Sequence, residues 1–274
     1  MNKIKPLFII AFIAIIGFSM LACDNGNGSH ACFFGTWAEK TAPTFTSEGV
    51  EERNCDCGEN ETRPLPRIAI TTTAEFATVI DGLTNNTATT AYTLRINIDD
   101  LGGSIHDDGS IGYTVFNNNT IFVNLDMSGS TFIEIDNDAF GTECRGCENL
   151  MGITIPNSVT MIGGSAFEYT GIISVIIPAN VVEIGYFAFN DCVNLETVTV
   201  LATTPPTIFS DVFTGCCTED GSDILSSLVA IKVPAGSVQA YKEHVCGNCE
   251  SCEESYVGFC GWSVYEDLII AITP

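Results

Sequence analysis

The chain reads as mainly β with short helices, built by piling up similar turns. Three observations predict this. The first is a recurring line. Ile153-Thr-Ile155-Pro156 leads to Val159, Ile162-Gly163 and Ala166-Phe167, and Val175-Ile-Ile177-Pro178 leads to Val181, Ile184-Gly185 and Ala188-Phe189. A looser copy runs through Val198-Thr-Val200-Leu201, Ile208 and Val212-Phe213, and an earlier one surrounds Val123-Asn-Leu125, Ile135 and Ala139-Phe140. The second is spacing. Phe140, Phe167, Phe189 and Phe213 recur at 27, 22 and 24 residues, a unit length typical of repeat architectures. The third is a short alternation at the head of each line. Ile153/Ile155, Val175/Ile177, Val198/Val200 and Ile231/Val233 would point inward, and Thr154, Ile176, Thr199 and Lys232 outward. Pro156 and Pro178 end these strands, because proline has no N–H for a ladder. The Ile-Gly pairs at 162–163 and 184–185 mark a turn that needs a small or left-handed residue. Each Phe then fills the core and contributes about 1.5–3 kcal/mol if fully buried. A unit this short cannot bury its own apolar face, so about three must stack.

The motifs I-x-I-P, V-x-x-I-G and A-F recur in one register at Ile153–Phe167 and Val175–Phe189. These lines resemble the BspA-type leucine-rich repeat of bacterial surface proteins. The resemblance implies a leucine-rich repeat solenoid (BspA-type) over residues 121–234. It would carry an N-terminal α/β cap over 68–120 and a C-terminal cap over 235–274. Cys147, Cys192 and Cys216 each fit the slot before the next strand, with Thr170 in that slot once. They are read as buried small hydrophobes in a column rather than reactive groups.

The chain begins with a targeting pattern. Lys3 and Lys5 precede an apolar run from Leu7 to Ala22, then Met20-Leu21-Ala22-Cys23 and a polar Asp-Asn-Gly-Asn-Gly-Ser stretch. The run is short for a spanning helix, which needs about 20 residues. It resembles a bacterial lipoprotein signal, which implies removal of residues 1–22 and lipid on the thiol of Cys23. Residues 23–30 would be a flexible tether. Residues 31–67 are distinct in composition, with Cys32, Trp37, Ala42-Pro43-Thr44, Glu48-Gly49-Val50, Cys55-Asp-Cys57-Gly58 and Glu61-Thr62-Arg63-Pro64. They resemble a short module of bacterial cell-surface proteins. Phe45 stands where that module has Cys, and its C-x-x-C has shrunk to Cys55-x-Cys57. The expectation is a small Cys-containing β-module, stapled by disulfide outside the cell. His30, Cys32, Cys55 and Cys57 form the rival zinc set.

A helix is expected from Ile70 to Asn85, with a Thr N-cap and Glu75 within Thr71-Thr72-Thr73-Ala74-Glu75, and Phe76, Val79, Ile80 and Leu83 at helical spacing. Tyr92 to Ile98 alternates as a strand. Asp99 to Gly112 reads as a solvated Gly- and Asp-rich loop. Asp99, Asp100, Asp107 and Asp108 also allow a calcium-loop reading, but lack the D-x-D-x-D-G…E order. Asp100-Leu101-Gly102-Gly103 and Asn117 to Ser130 resemble the segment that precedes such repeats in some spirochaete lipoproteins. That resemblance implies a cap on the open end of the stack.

At the far end, Ile231-Lys-Val233-Pro234 to Tyr241-Lys242 resembles the closing unit of the repeat family, with a companion from Trp262 to Ile270. Insertions relative to the repeat hold Cys144, Cys217, Cys246, Cys249, Cys252 and Cys260. They are read as candidate disulfides that clamp one rim and the C-terminal cap. A zinc or iron–sulfur site on Cys246, Cys249, Cys252 and Cys260 is the rival.

The formal charge is −24, with ten Lys and Arg. Nucleic acid and anionic lipid headgroups are therefore not expected partners. His30, His106 and His244 form no catalytic set, and none of the common nucleotide, zinc-protease or hydrolase motifs occurs. No enzyme activity and no cofactor are expected. The leading expectation is adhesion to a host or neighbouring-cell protein through Thr154, Ile176, Thr199 and Lys232, with membrane attachment through the lipid. The alternatives are a passive envelope protein and a Cys-rich metal or redox protein.

Overall fold

The structure is a computed structural model that describes residues 22–24, 29–31, 34–55, 58–142, 145–215, 227–244 and 261–272. The chain divides into two compact units, one within residues 1–42 and 49–65, the other from residues 43–48 and 66–274.

The first unit is antiparallel β. β1 (Ala22–Asp24) pairs with β2 (Ser29–Ala31), so the ends of the expected tether are joined. β3 (Ala38–Thr41), β4 (Gly49–Asn54) and β5 (Asn60–Leu65) form a meander. Apolar burial is sparse here, and cations on aromatic rings take its place. Arg53 lies over Phe34 and Trp37 at 4.8 and 4.7 Å, and Arg63 over Trp37 at 4.4 Å. Glu61 and Glu51 hold the two guanidinium groups at 2.6 and 2.7 Å. Cys55 is buried, while Cys32, Cys57 and the side chain of His30 lie outside the described residues.

The second unit opens with β6 (Ala69–Ile70) and α1 (Thr73–Asp81). This helix is shorter than expected. Ile70 pairs with Ile96 instead of joining the helix, and Gly82 caps the other end. Thr72 is the N-cap, its hydroxyl accepting the Glu75 N–H at 3.1 Å. The Glu75 carboxylate accepts the Thr71 N–H, one residue earlier than a capping box has it. β7 (Tyr92–Ile96) stops two residues before the expected end, because the Ser130 hydroxyl takes the Ile98 N–H at 3.1 Å and ends the ladder.

The Asp-rich loop ends earlier than expected too. Ile111 and Gly112 begin α2 (Ile111–Asn117), capped by the Ser110 hydroxyl on the Tyr113 N–H. Gly112 permits this packing, since a Cβ there would meet the Ala139 carbonyl oxygen at 1.8 Å.

The repeats follow as alternating strands of two sheets. They are β8 (Val123–Asp126), β9 (Glu134–Ile135), a small hairpin of β10 (Gly141–Thr142) and β11 (Arg145–Gly146), then β12 (Leu150–Thr154) and β13 (Met161–Ile162). β14 (Ser174–Ile177), β15 (Glu183–Ile184), β16 (Thr197–Val200), β17 (Thr207–Ile208) and β18 (Ala230–Val233) continue the pattern. After α3 (Val238–Lys242), β19 (Ile269–Ala271) comes last. An open eight-stranded sheet runs β19-β18-β16-β14-β12-β8-β7-β6, and a four-stranded sheet runs β17-β15-β13-β9. Every pairing in both is parallel.

The parallel register lines up like residues. Leu94, Leu125, Ile153, Val175, Val198, Ile231 and Ile269 are successive partners across the large sheet, all buried. Ile135, Ile162, Ile184 and Ile208 do the same in the small one. The ladder phenylalanines stack within this core. Phe140–Phe167, Phe167–Phe189 and Phe189–Phe213 have ring centroids 5.5, 5.1 and 5.5 Å apart, inclined by 7, 14 and 20°. Phe213 is covered in turn by Trp262 and by the edge of Tyr265, and Trp262 Nε1–H donates to the Pro206 carbonyl at 2.8 Å.

The turns leading to each Phe need a left-handed residue, but not at the Ile-Gly pairs. It comes two residues before the Phe: Asp138, Ser165, Phe187 and Asp211 have φ of 57, 52, 56 and 60°. Gly163 and Gly185 are there for closeness instead. A Cβ on either would lie 2.5 Å from a backbone nitrogen of the preceding repeat.

The cysteine slot holds more than small hydrophobes. Cys147 and Cys192 are buried, and the Cys192 thiol donates to the Phe167 carbonyl at 2.9 Å. Thr170 reaches the same oxygen at 2.8 Å and Cys192 Sγ at 3.3 Å. The slot asks for a small donor, which explains a threonine in it. Burial pushes the Cys192 thiol up to about 12 and raises Cys147 as well. Cys216 lies outside the described residues.

Two outcomes follow from the raised thiols. Both should resist iodoacetamide in the native protein at pH 8 and react once denatured, as read by peptide mass spectrometry. The folded thiol keeps its proton where the unfolded one, near 8.5, has lost it. Their contribution to stability is therefore present below that value and lost as pH rises toward about 12.

Candidate functional site

Outward-facing residues of the large sheet form a row because parallel pairing keeps like positions level. Thr154 is the partner of Ile176, Ile176 of Thr199, and Thr199 of Lys232. The four residues singled out from the sequence thus lie side by side on neighbouring strands, about 4.8 Å apart. Ile176 is 56% exposed, Thr154 is exposed, and Thr199 and Lys232 are half-buried. Among the described residues no loop covers the isoleucine, so its apolar surface stays in water until a partner covers it.

The row is longer than the sequence reading had it. Asp126 is level with Thr154, Arg95 with Asp126, and Ile270, 46% exposed, with Lys232. Strand alternation in Tyr92–Ile96 and Val123–Asp126 carried the signal for Arg95 and Asp126. Ile270 needed the pairing of β19 to β18, which follows an insertion in sequence. The row therefore has charged residues toward both ends and a Thr-Ile-Thr centre.

Other residues named from the sequence fall elsewhere. The side chain of Cys23, and Cys144, Cys217, Cys246, Cys249, Cys252 and Cys260, lie outside the described residues. His106 is exposed in the Asp-rich loop, and burial lowers the pKa of His244. The loop aspartates close turns. Asp100 accepts the Gly102 N–H at 2.8 Å, and Asp107 accepts the N–H and hydroxyl of Ser104, both at 2.7 Å. The Ser104 bonds lower the pKa of Asp107. Burial raises that of Asp136, helped by Asp100 and Asp107 nearby. Among the described residues, no group of His, Cys, Asp or Glu is arranged to hold a metal ion, and no helix is long and apolar enough to cross a membrane.

Comparison with known proteins bears on the repeats. Residues 109–235 match the BspA type leucine rich repeat region in six copies. The match begins at Gly109, so it takes in α2 ahead of the first strand in the sequence reading. A leucine rich cell surface protein from Faecalibacterium prausnitzii A2-165 is similar at 16% identity and a TM-score of 0.26. That alignment covers 64% of this chain and 61% of the other, so the chain spans under two thirds of that protein's length. No curated protein matches the chain.

Proposed function

Since residues 109–235 match the BspA type leucine rich repeat region, we propose that the chain is a non-enzymatic surface protein that binds another protein. The repeats make a leucine-rich repeat solenoid, and its outward strand row is the contact face. One observation carries this reading. Thr154, Ile176, Thr199 and Lys232 stand level on adjacent strands, with Ile176 exposed at their centre. An uncovered aliphatic group ringed by hydroxyls and a cation suits a protein partner.

Residues 1–22 act as a lipoprotein signal, and lipid on Cys23 fixes the chain to a bacterial envelope with its repeats outward. In that oxidising setting Cys144, Cys217, Cys246, Cys249, Cys252 and Cys260 form disulfides, and the module at 31–67 is an accessory domain.

The test is a binding screen of the mature chain from Cys23 against extracellular matrix and bacterial surface proteins. Ile176→Glu should weaken capture at least about tenfold, since it buries a charge in the contact. Its melting temperature should stay unchanged, because residue 176 faces water. Capture that survives Ile176→Glu overturns the face. Capture of nothing favours a passive envelope role.

A further inference from the structure

Beside the C-terminal end of α2 a cleft of about 460 Å³ opens, lined by Phe116, Asn117, Asn119, Phe122, Glu148 and Asn149. None of these belongs to the outward strand row. The volume falls within the range of small-molecule sites, about 300–1,000 Å³. Its back wall is fixed. The buried Asn149 donates its amide to the carbonyls of Val115, Asn118 and Ile121 at 3.0, 3.2 and 2.8 Å. The Phe122 N–H is held by Asn86 Oδ1 at 2.7 Å. The Arg145 guanidinium sits 5.0 Å from the Phe116 ring centre. The mouth, by contrast, is polar. Asn119 and Glu148 are exposed, and Asn117 spends an amide N–H on the Tyr113 carbonyl at 2.9 Å, which leaves its oxygen as an acceptor.

We infer that this cleft binds a neutral, hydroxyl-rich ligand, a sugar unit of a glycan. Phe116 and Phe122 line the cleft and supply apolar surface of the kind a pyranose C–H face covers. Around them stand two amides and a carboxylate, and paired donors and acceptors of this sort satisfy hydroxyl groups. Other ligand classes fit less well. An anion would meet Glu148 in a chain of formal charge −24, and the Arg145 guanidinium is engaged with the Phe116 ring. An apolar ligand would strand the amides and the carboxylate without water. A small ammonium ion would leave most of the volume unfilled.

The experiment is calorimetric titration of the full mature chain with cellobiose, maltose, lactose and N,N′-diacetylchitobiose. Each is used at about 10 mM, above the millimolar dissociation constants of weak ligands. At least one should bind saturably. Asn119→Ala and Glu148→Gln should each weaken it about three- to tenfold, the loss of one hydrogen bond. Both sites are exposed, so the melting temperature should hold. Silence from all four sugars overturns the inference. So does binding that ignores both substitutions, or choline competing as well as the sugar. None of these results touches the outward strand row, where Ile176→Glu is the separate test.

Discussion

Phe189→Ala is expected to destabilise the repeat unit by about 3–5 kcal/mol, the usual cost of emptying a buried aromatic site. The ring is fully buried and stacked on both sides, 5.1 Å from Phe167 and 5.5 Å from Phe213. Each stacked pair adds about 0.5–1.5 kcal/mol beyond the area buried. Removal therefore opens a gap in the middle of the ladder, where no chain end can close over it. Phe140→Ala should cost less, because Phe140 has one ladder neighbour. Urea denaturation followed by circular dichroism measures both. Repeats touch only their neighbours, so the Phe189 variant should also unfold less cooperatively. A cost under about 1 kcal/mol at Phe189 would mean that the ring lies outside the core.

Gly185→Ala, a change of one methyl group, is expected to cost about 3 kcal/mol, at the top of the range for overpacking. The new Cβ would stand 2.5 Å from Gly164 N, 2.8 Å from Gly163 C and 2.9 Å from Gly164 Cα. All three are backbone atoms of the adjacent repeat, so no side chain can swing aside. Strands β13 and β15 would have to separate, and the Gly185 N–H to Ile162 carbonyl bond of 2.8 Å would stretch with them. Gly236→Ala is the control, since nothing lies within 4 Å of a Cβ there. Its effect should stay within about 0.5 kcal/mol. Thermal melts of the two variants settle the comparison. Equal melting points would show that the repeats are not packed this closely.

Much of the stack was readable beforehand because it repeats. Ile153, Val175, Val198 and Ile231 are apolar at one position of each unit, and parallel pairing then places them side by side. The same regularity placed Thr154, Ile176, Thr199 and Lys232 in one outward row. Reading failed where the pattern is broken. α2 went unseen because Asp and Gly before it speak for a loop, while its signal was a single Ser110 cap with Ile111 and Val115 one turn apart. Ile70 looked helical because its partner, Ile96, lies beyond the whole of α1.

The glycines show the same division. Composition says that Gly163 and Gly185 are small, but both a left-handed turn and a close contact call for glycine. Only the neighbouring repeat, 2.5 Å from a would-be Cβ, decides for contact. The left-handed strain sits instead on Ser165 and Phe187, residue types that give no local warning of it.

The sequence by itself determined the period, the inward and outward sides of each strand, and the residues that fill the interior, because these depend on spacing along one chain. The tertiary structure alone decided which positions touch across repeats: the rings on Phe213, the Phe167 carbonyl that accepts from the Cys192 thiol, and the cleft beside α2. Those contacts join residues far apart in the chain, and no local pattern records the distance between two atoms that meet only after folding.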